Sequence, residues 1–209
     1  MFVDKNPSLE TFWRSIILLG RNTASYKFSL AKTLLELPTE DNFVELDDLA
    51  LPFSKHITDH LKTNDKQATG SSNTYLNACR KFNRDEIALD ELLQITKRQG
   101  FRYVLDAFHN VAKSETPKFF EESSGRKKGL TLTDNFYELI KGKQYLNLNF
   151  EVDSRWSLWE TAISLNINPK LIEIHLDESG DKLFVFDDKV RRVDVTSSRE
   201  ALSGYQKGS

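Results

Sequence analysis

Cysteine and long apolar runs are the scarcest features of this chain. Cys79 is the only cysteine among 209 residues, so no internal disulfide can form, which fits a reducing compartment. No apolar run approaches the roughly 20 residues that a membrane-spanning helix needs. Asp4 and Glu10 flank the first apolar residues, and no signal-peptide pattern follows them. These absences predict a cytoplasmic protein without a membrane segment.

Positive charge is not in excess either. The chain has 29 Lys and Arg residues against 31 Asp and Glu residues, which gives a formal net charge of −2. A protein that binds nucleic acid over its whole surface is usually basic. Any contact with DNA must therefore come from a local patch. The hydrophobic share of 39% excludes a disordered chain and predicts a domain with a core of its own.

Helical periodicity dominates the chain up to about residue 165. Apolar residues recur at spacings of three and four, which predicts several helices, the first two forming an antiparallel pair. Further on, Ile172, Ile174 and Leu176 alternate with polar residues, which is the period of a strand. We therefore predict a mainly α (α+β) fold: a multi-helix domain with a small antiparallel β-meander near the C-terminus, between about Leu171 and Val195, as its only sheet.

Composition divides the chain into three regions. Residues 1–112 are expected to form an N-terminal helical subdomain. Residues 113–130 are predicted to be a basic connecting segment, because Ser123 to Gly129 are small, basic and typical of flexible chain. Residues 131–209 are expected to hold further helices, the meander and the start of a linker helix, which the capping-box pair Ser197 and Glu200 places near Ser198.

Two histidine patterns have the spacing of chemical sites. His56 and His60 stand four residues apart on a predicted helix, as zinc ligands do, but no general base or third ligand follows. Two polar residues on a helix face are the favoured interpretation. Asp106 and His109 share a helix face, and a carboxylate can orient a histidine in this way. For that pair we expect a structural hydrogen bond rather than catalysis.

The remaining candidates for chemistry are weaker. The residues around Trp156 and Trp159 include four with charged side chains: Glu151, Asp153, Arg155 and Glu160. Two of the carboxylates could bind magnesium, but an ion pair between Arg155 and an acidic residue is the favoured interpretation. Cys79 is followed by two basic residues that could lower the pKa of its thiol, but its apolar helix face predicts a packed thiol. The sequence contains no P-loop, dinucleotide fingerprint, nucleophile elbow or zinc-ribbon spacing. No catalytic residue, cofactor or metal site is predicted in this chain.

Clusters of basic residues are the main functional signal. Phosphate contacts require such cations, although charge runs also occur on solvated faces. The candidate DNA-binding residues are Arg80, Lys81 and Arg84; Lys97, Arg98 and Arg102; Arg126, Lys127 and Lys128; and Arg191 and Arg192.

Four segments give the chain a resemblance to a known family. They are residues 20–32 (GRNTASYKFSLAK), 107–111 (AFHNV), 155–162 (RWSLWETA) and 199–208 (REALSGYQKG). In this order they resemble the N-terminal region of bacterial proteins that carry an HNH-endonuclease domain. In HNH nucleases a helix ending in a stretch similar to Tyr-Gln-x-Gly leads into a zinc-knuckle cysteine pair and then into the nuclease core. Here the sequence ends at Ser209, where that pair would begin.

The resemblance implies that the parent protein cleaves or nicks DNA, in restriction or in defence against phage. The catalytic histidine, the divalent metal and a structural zinc would belong to the HNH segment, so none of those roles falls on His56, His60, His109 or His175. We therefore expect a non-catalytic module that positions or recognises DNA. The alternative is a protein-interaction or dimerisation module that docks the nuclease onto a partner protein of a defence complex.

Overall fold

The structure is a computed structural model that describes residues 7–19, 22–37, 41–70, 73–111, 116–123, 125 and 127–166, and three short strands beyond them. The helices are α1 (Leu9–Leu19), α2 (Tyr26–Leu35), α3 (Leu46–Thr63), α4 (Thr74–Asn83), α5 (Leu89–Ile95), α6 (Val104–Ala107), α7 (Asp134–Lys141) and α8 (Tyr145–Ser164). The strands are β1 (Phe43–Glu45), β2 (Phe120–Ser123), β3 (Gly129–Leu132), β4 (His175–Leu176), β5 (Leu183–Phe186) and β6 (Arg192–Asp194). A π-helical segment, Thr96–Gly100, continues α5.

The chain forms two compact units, Met1–Leu148 and Asn149–Ser209. The predicted helices of the first unit are present, and α2 is its most buried element, with side chains from Lys27 to Leu35 inside the protein. α2 packs mainly on α3 and less extensively on α1. The predicted pairing of the first two helices is therefore present, but the larger share of the α2 surface is covered by α3.

Aromatic side chains fill the core of the first unit in two clusters. Trp13 on α1 contacts the rings of Phe108, Phe119 and Phe136, with centroid distances of 5.6, 5.2 and 6.5 Å. In the second cluster, Phe53 on α3 lies 4.7 Å from Phe101 and 6.0 Å from Tyr75. Burying several large rings in this way supplies much of the hydrophobic stabilisation of a domain of this size.

A three-stranded antiparallel sheet lies in the middle of the chain, in the order β1–β3–β2. Phe43 is opposite Thr131, and Phe120 is opposite Leu132. The prediction that residues 113–130 are only a connecting segment is wrong, because β2 and the start of β3 fall within it. Gly129 is not part of a flexible run either, since a Cβ at this position would collide with the carbonyl oxygen of Val44 on β1.

The prediction of a mainly helical chain with a small antiparallel sheet is confirmed. The prediction that its only sheet lies near the C-terminus is wrong, because β1, β3 and β2 form a sheet in the middle of the chain. The strands of the middle sheet have three or four residues each, too few for a periodic pattern to stand out. In the second unit, β4, β5 and β6 pair antiparallel in that order, with His175 opposite Phe184 and Val185 opposite Val193. The helix predicted near Ser198 lies outside the described residues.

In the part of the chain that the structure describes, no helix is both long enough and apolar enough to cross a membrane.

Candidate nucleic-acid interface

Lys127 and Lys128, the described part of the basic run at residues 126–128, lie between β2 and β3. Lys127 and Lys128 are exposed, and Arg126 lies outside the described residues. The Nζ of Lys127 donates to Oε1 of Glu45 at 2.5 Å, and this hydrogen bond raises the pKa of Lys127 above its ordinary value. The backbone oxygen of Lys128 accepts the N–H of Leu46 at 3.1 Å. The turn is therefore tied to the end of β1 and the start of α3.

A second basic group reaches the same end of α3. Lys97, in the π-helical segment, donates to Oδ2 of Asp47 at 3.0 Å, close in sequence to the Glu45 that binds Lys127. The structure thus brings together two clusters that are about 30 residues apart in the sequence, on acidic residues at the N-terminus of α3. Each of the two lysines forms an ion pair with one of these carboxylates.

The arginines of α4 and its C-terminus are also paired with acids. Arg80 Nε donates to Oδ1 of Asp65 at 2.5 Å, and its Nη2 donates to the backbone oxygen of the same residue at 2.6 Å. Arg84 Nε lies 2.6 Å from Oε1 of Glu86. Exposed ion pairs of this kind contribute little to stability, but they reduce the positive potential available to a phosphate.

Three other candidates are exposed on the first unit and have no carboxylate partner among the described residues: Lys81, Arg98 and Arg102. Arg98 donates from Nε to the backbone oxygen of Gln94 at 3.3 Å. The guanidinium of Arg102 lies over the ring of Tyr103, 5.1 Å from its centroid. Of the last pair, Arg191 is outside the described residues and Arg192 begins β6.

His109 is a structural residue, but its partner differs from the prediction. Its Nε2 accepts the backbone N–H of Phe119 at 2.9 Å, whereas Asp106 is exposed to solvent. Burial, helped by the positive charges of Lys118 and Lys27, lowers the pKa of His109 to about 4. The imidazole is therefore neutral at pH 7 with its proton on Nδ1, and it joins α6 to the start of β2.

Of the remaining candidates for chemistry, His56 is paired with a carboxylate, and Cys79 and Glu160 are buried. His56 Nε2 lies 2.9 Å from Oε2 of Glu36, and no cluster of three or more possible metal ligands occurs within the described ranges. Cys79 is buried, and burial raises the pKa of its thiol to about 12, as expected for a packed thiol. On α8, Glu160 is buried and Arg155 is half-buried.

Lys27 is not among the candidate residues predicted from the sequence. Its side chain is only 3% exposed, although it lies in the first turn of α2, and burial lowers its pKa to about 8. Its burial is indicated in the sequence only by its neighbours in residues 20–32. Tyr26, Phe28 and Leu30 make most of this part of the helix apolar, so little of its surface can face solvent.

The chain matches no protein-family profile, no curated protein and no solved structure.

Proposed function

We propose that this chain is the non-catalytic N-terminal module of an HNH endonuclease, and that it positions DNA for cleavage in restriction or anti-phage defence. The observation that carries this proposal is the basic turn of the β2–β3 hairpin. Lys127 and Lys128 are both exposed there. Cations held on an ordered hairpin can contact phosphates at a defined position without reading bases.

The positions in the fold of two segments that carry the resemblance, residues 20–32 and 107–111, support the same proposal. Residues 20–32 include the first turns of α2, which are buried. Residues 107–111 include Phe108 and His109, which pack against Phe120 at the start of the hairpin, with ring centroids 5.2 and 4.6 Å from its ring. Two of the segments that resemble the nuclease family therefore contribute to the core of the first unit, and one of them packs on the first residue of β2.

Reversal of charge at the hairpin turn tests this role. The double variant Lys127→Glu and Lys128→Glu is expected to weaken binding to a 20-base-pair duplex about tenfold or more at low salt, because phosphate contacts dominate such binding. Fluorescence anisotropy measures it, and circular dichroism checks that both proteins are folded. The matched control is Lys141→Glu with Lys143→Glu, which changes the net charge equally at two exposed lysines elsewhere. An equal loss in both variants would contradict a contact at the hairpin.

A second candidate function is a docking or dimerisation module that brings the nuclease to a partner protein. The observation that favours it is the pairing of four candidate cations with carboxylates: Arg80, Arg84, Lys97 and Lys127. Alternating charges of both signs suit a protein partner better than a phosphate backbone. Absence of duplex binding at low salt, together with a dimer in light scattering after size exclusion, would put this function first.

A further inference from the structure

Three lysines of the candidate interface meet at the first turn of α3. Lys127 and Lys128 come from the segment between β2 and β3, and Lys97 comes from the π-helical segment that follows α5. The start of α3 is acidic: Glu45 directly precedes its first residue, and Asp47 is its second residue. Cations from two distant parts of the sequence therefore lie beside carboxylates at one end of a single helix.

Two of the three lysines are in ion pairs with these acids. The Nζ of Lys127 lies 2.5 Å from Oε1 of Glu45, and the Nζ of Lys97 lies 3.0 Å from Oδ2 of Asp47. Lys128 is exposed and has no carboxylate partner in the part of the chain that the structure describes. A phosphate that reaches this surface therefore meets one open ammonium group and two that already contact an anion.

Backbone hydrogen bonds keep these partners close to one another. The N–H of Leu46 donates to the backbone oxygen of Lys128 at 3.1 Å, and Glu45 is opposite Gly129 in the pairing of β1 with β3. The main chain thus holds Glu45 next to the segment that carries Lys127. The ion pair between them can form again whenever a competing anion leaves.

Both ion pairs are open to solvent on at least one side. The side chain of Lys127 is 70% exposed, and that of Asp47 is 68% exposed. Exposed ion pairs contribute little to stability, so a phosphate can replace the carboxylate without disturbing the fold. The displaced carboxylate nevertheless stays beside the bound phosphate, and the two negative charges repel each other. The acids therefore oppose the binding for which the lysines are suited.

We propose that Glu45 and Asp47 are internal competitors of phosphate, which hold Lys127 and Lys97 in ion pairs that a DNA backbone must open. This regulation rests on the proposed positioning of DNA and adds an autoinhibitory contact to it. Repulsive groups at an interface lower its affinity for unselected sites. The two acids thus keep the module from being retained on any DNA by charge alone.

Asp48 provides a matched control on the same turn of α3. It is exposed, and it forms no ion pair with a lysine among the described residues. The hydrogen bond and the charge of Glu45 raise the pKa of Lys127 most, and the charge of Asp48 adds a smaller increase. Asp48→Asn therefore removes one negative charge from the same place without releasing a lysine.

Fluorescence anisotropy with a labelled duplex at low salt tests the competition. Glu45→Gln and Asp47→Asn should each tighten binding about threefold or more, because each releases one cation for a phosphate, whereas Asp48→Asn should tighten it less than about twofold. Circular dichroism and urea denaturation check that every variant is folded.

A double-mutant cycle separates competition for a lysine from a general effect of charge. When Lys127→Met is already present, Glu45→Gln should have no more effect than Asp48→Asn, because the lysine that it would release is gone. The same holds for Asp47→Asn in the presence of Lys97→Met. A tightening that persists in these backgrounds would overturn the proposal.

Heparin chromatography distinguishes failure of this proposal from failure of the DNA-positioning function, because a polyanion reports open lysines whether or not DNA is the ligand. Glu45→Gln and Asp47→Asn should elute at higher salt than Asp48→Asn. If they do so while no variant binds duplex, the competition stands and DNA positioning fails. If duplex binds but Glu45→Gln and Asp47→Asn bind it no tighter than Asp48→Asn, the competition is overturned and DNA positioning stands. Without duplex binding and without a difference in elution, both are wrong.

Discussion

The Oδ1 of Asn73 accepts two hydrogen bonds, one from the hydroxyl of Tyr26 at 2.6 Å and one from the backbone N–H of Leu76 at 3.0 Å. The second bond caps the N-terminus of α4, and the first ties that cap to α2. Burial raises the pKa of Tyr26 above its ordinary value, so its hydroxyl keeps the proton that it donates. A single amide oxygen therefore joins a helix terminus to the central helix of the first unit.

Removal of this oxygen should destabilise the protein measurably. Asn73→Ala is expected to lower the free energy of unfolding by about 1–2 kcal/mol, because α4 loses its cap and Tyr26 loses its partner. Tyr26→Phe should cost about 0.5–1.5 kcal/mol, since the cap remains. Urea denaturation measures both changes. Asn73→Asp, which keeps an acceptor, is the control, and an unchanged midpoint for Asn73→Ala would show that the cap contributes nothing.

Lys27 should make the protein less stable at neutral pH than it would be without the lysine. Burial lowers the pKa of Lys27 from 10.5 to about 8, so between these values the unfolded chain binds more protons than the folded one. Stability should therefore rise with pH across this window. Lys27→Met should raise the free energy of unfolding at pH 7 by about 1–3 kcal/mol and remove that part of the pH dependence.

Denaturation of Lys27→Met at several pH values between 7 and 10.5 would check this, with Lys32→Met as the control on the same helix. Lys32 lies 4.0 Å from Glu36, so it differs from Lys27 in having a carboxylate nearby. A clear loss of stability in Lys27→Met at pH 7 would mean that the buried ammonium is compensated in the folded protein.

His109 should give a second pH dependence, on the acidic side. Its pKa is lowered from 6.5 to about 4, so the unfolded chain takes up a proton in this window while the folded chain does not. Stability contributed by the neutral imidazole should be present above about pH 6.5 and decline as the pH falls towards 4. His109→Gln, which keeps an acceptor without titrating, should flatten this part of the profile. A profile identical to that of the unaltered chain would contradict the assignment, and His56→Gln is the control.

The helices could be predicted from the sequence because their apolar spacing reports burial directly. The sheet in the middle of the chain could not be predicted, because β1, β2 and β3 have only three or four residues each. In addition, Glu121 and Glu122 on β2 are exposed, so this strand has the polar composition of a loop. The partner of His109 could not be predicted from the sequence either, since Phe119 lies ten residues further along the chain. The burial of Lys27 could not be predicted for a related reason: the apolar spacing of a helix does not show that a lysine is covered on every side.

The affinity for duplex DNA measured across salt concentrations tests the central claim most directly. Anisotropy titrations of the full chain with a labelled duplex should give weak binding at low salt that falls steeply as salt rises. If the hairpin turn supplies two or three phosphate contacts, the logarithm of the binding constant should fall against the logarithm of salt with a slope of about −2 to −3, alike for unrelated sequences. No binding at low salt, or tight binding that hardly depends on salt, would contradict the account.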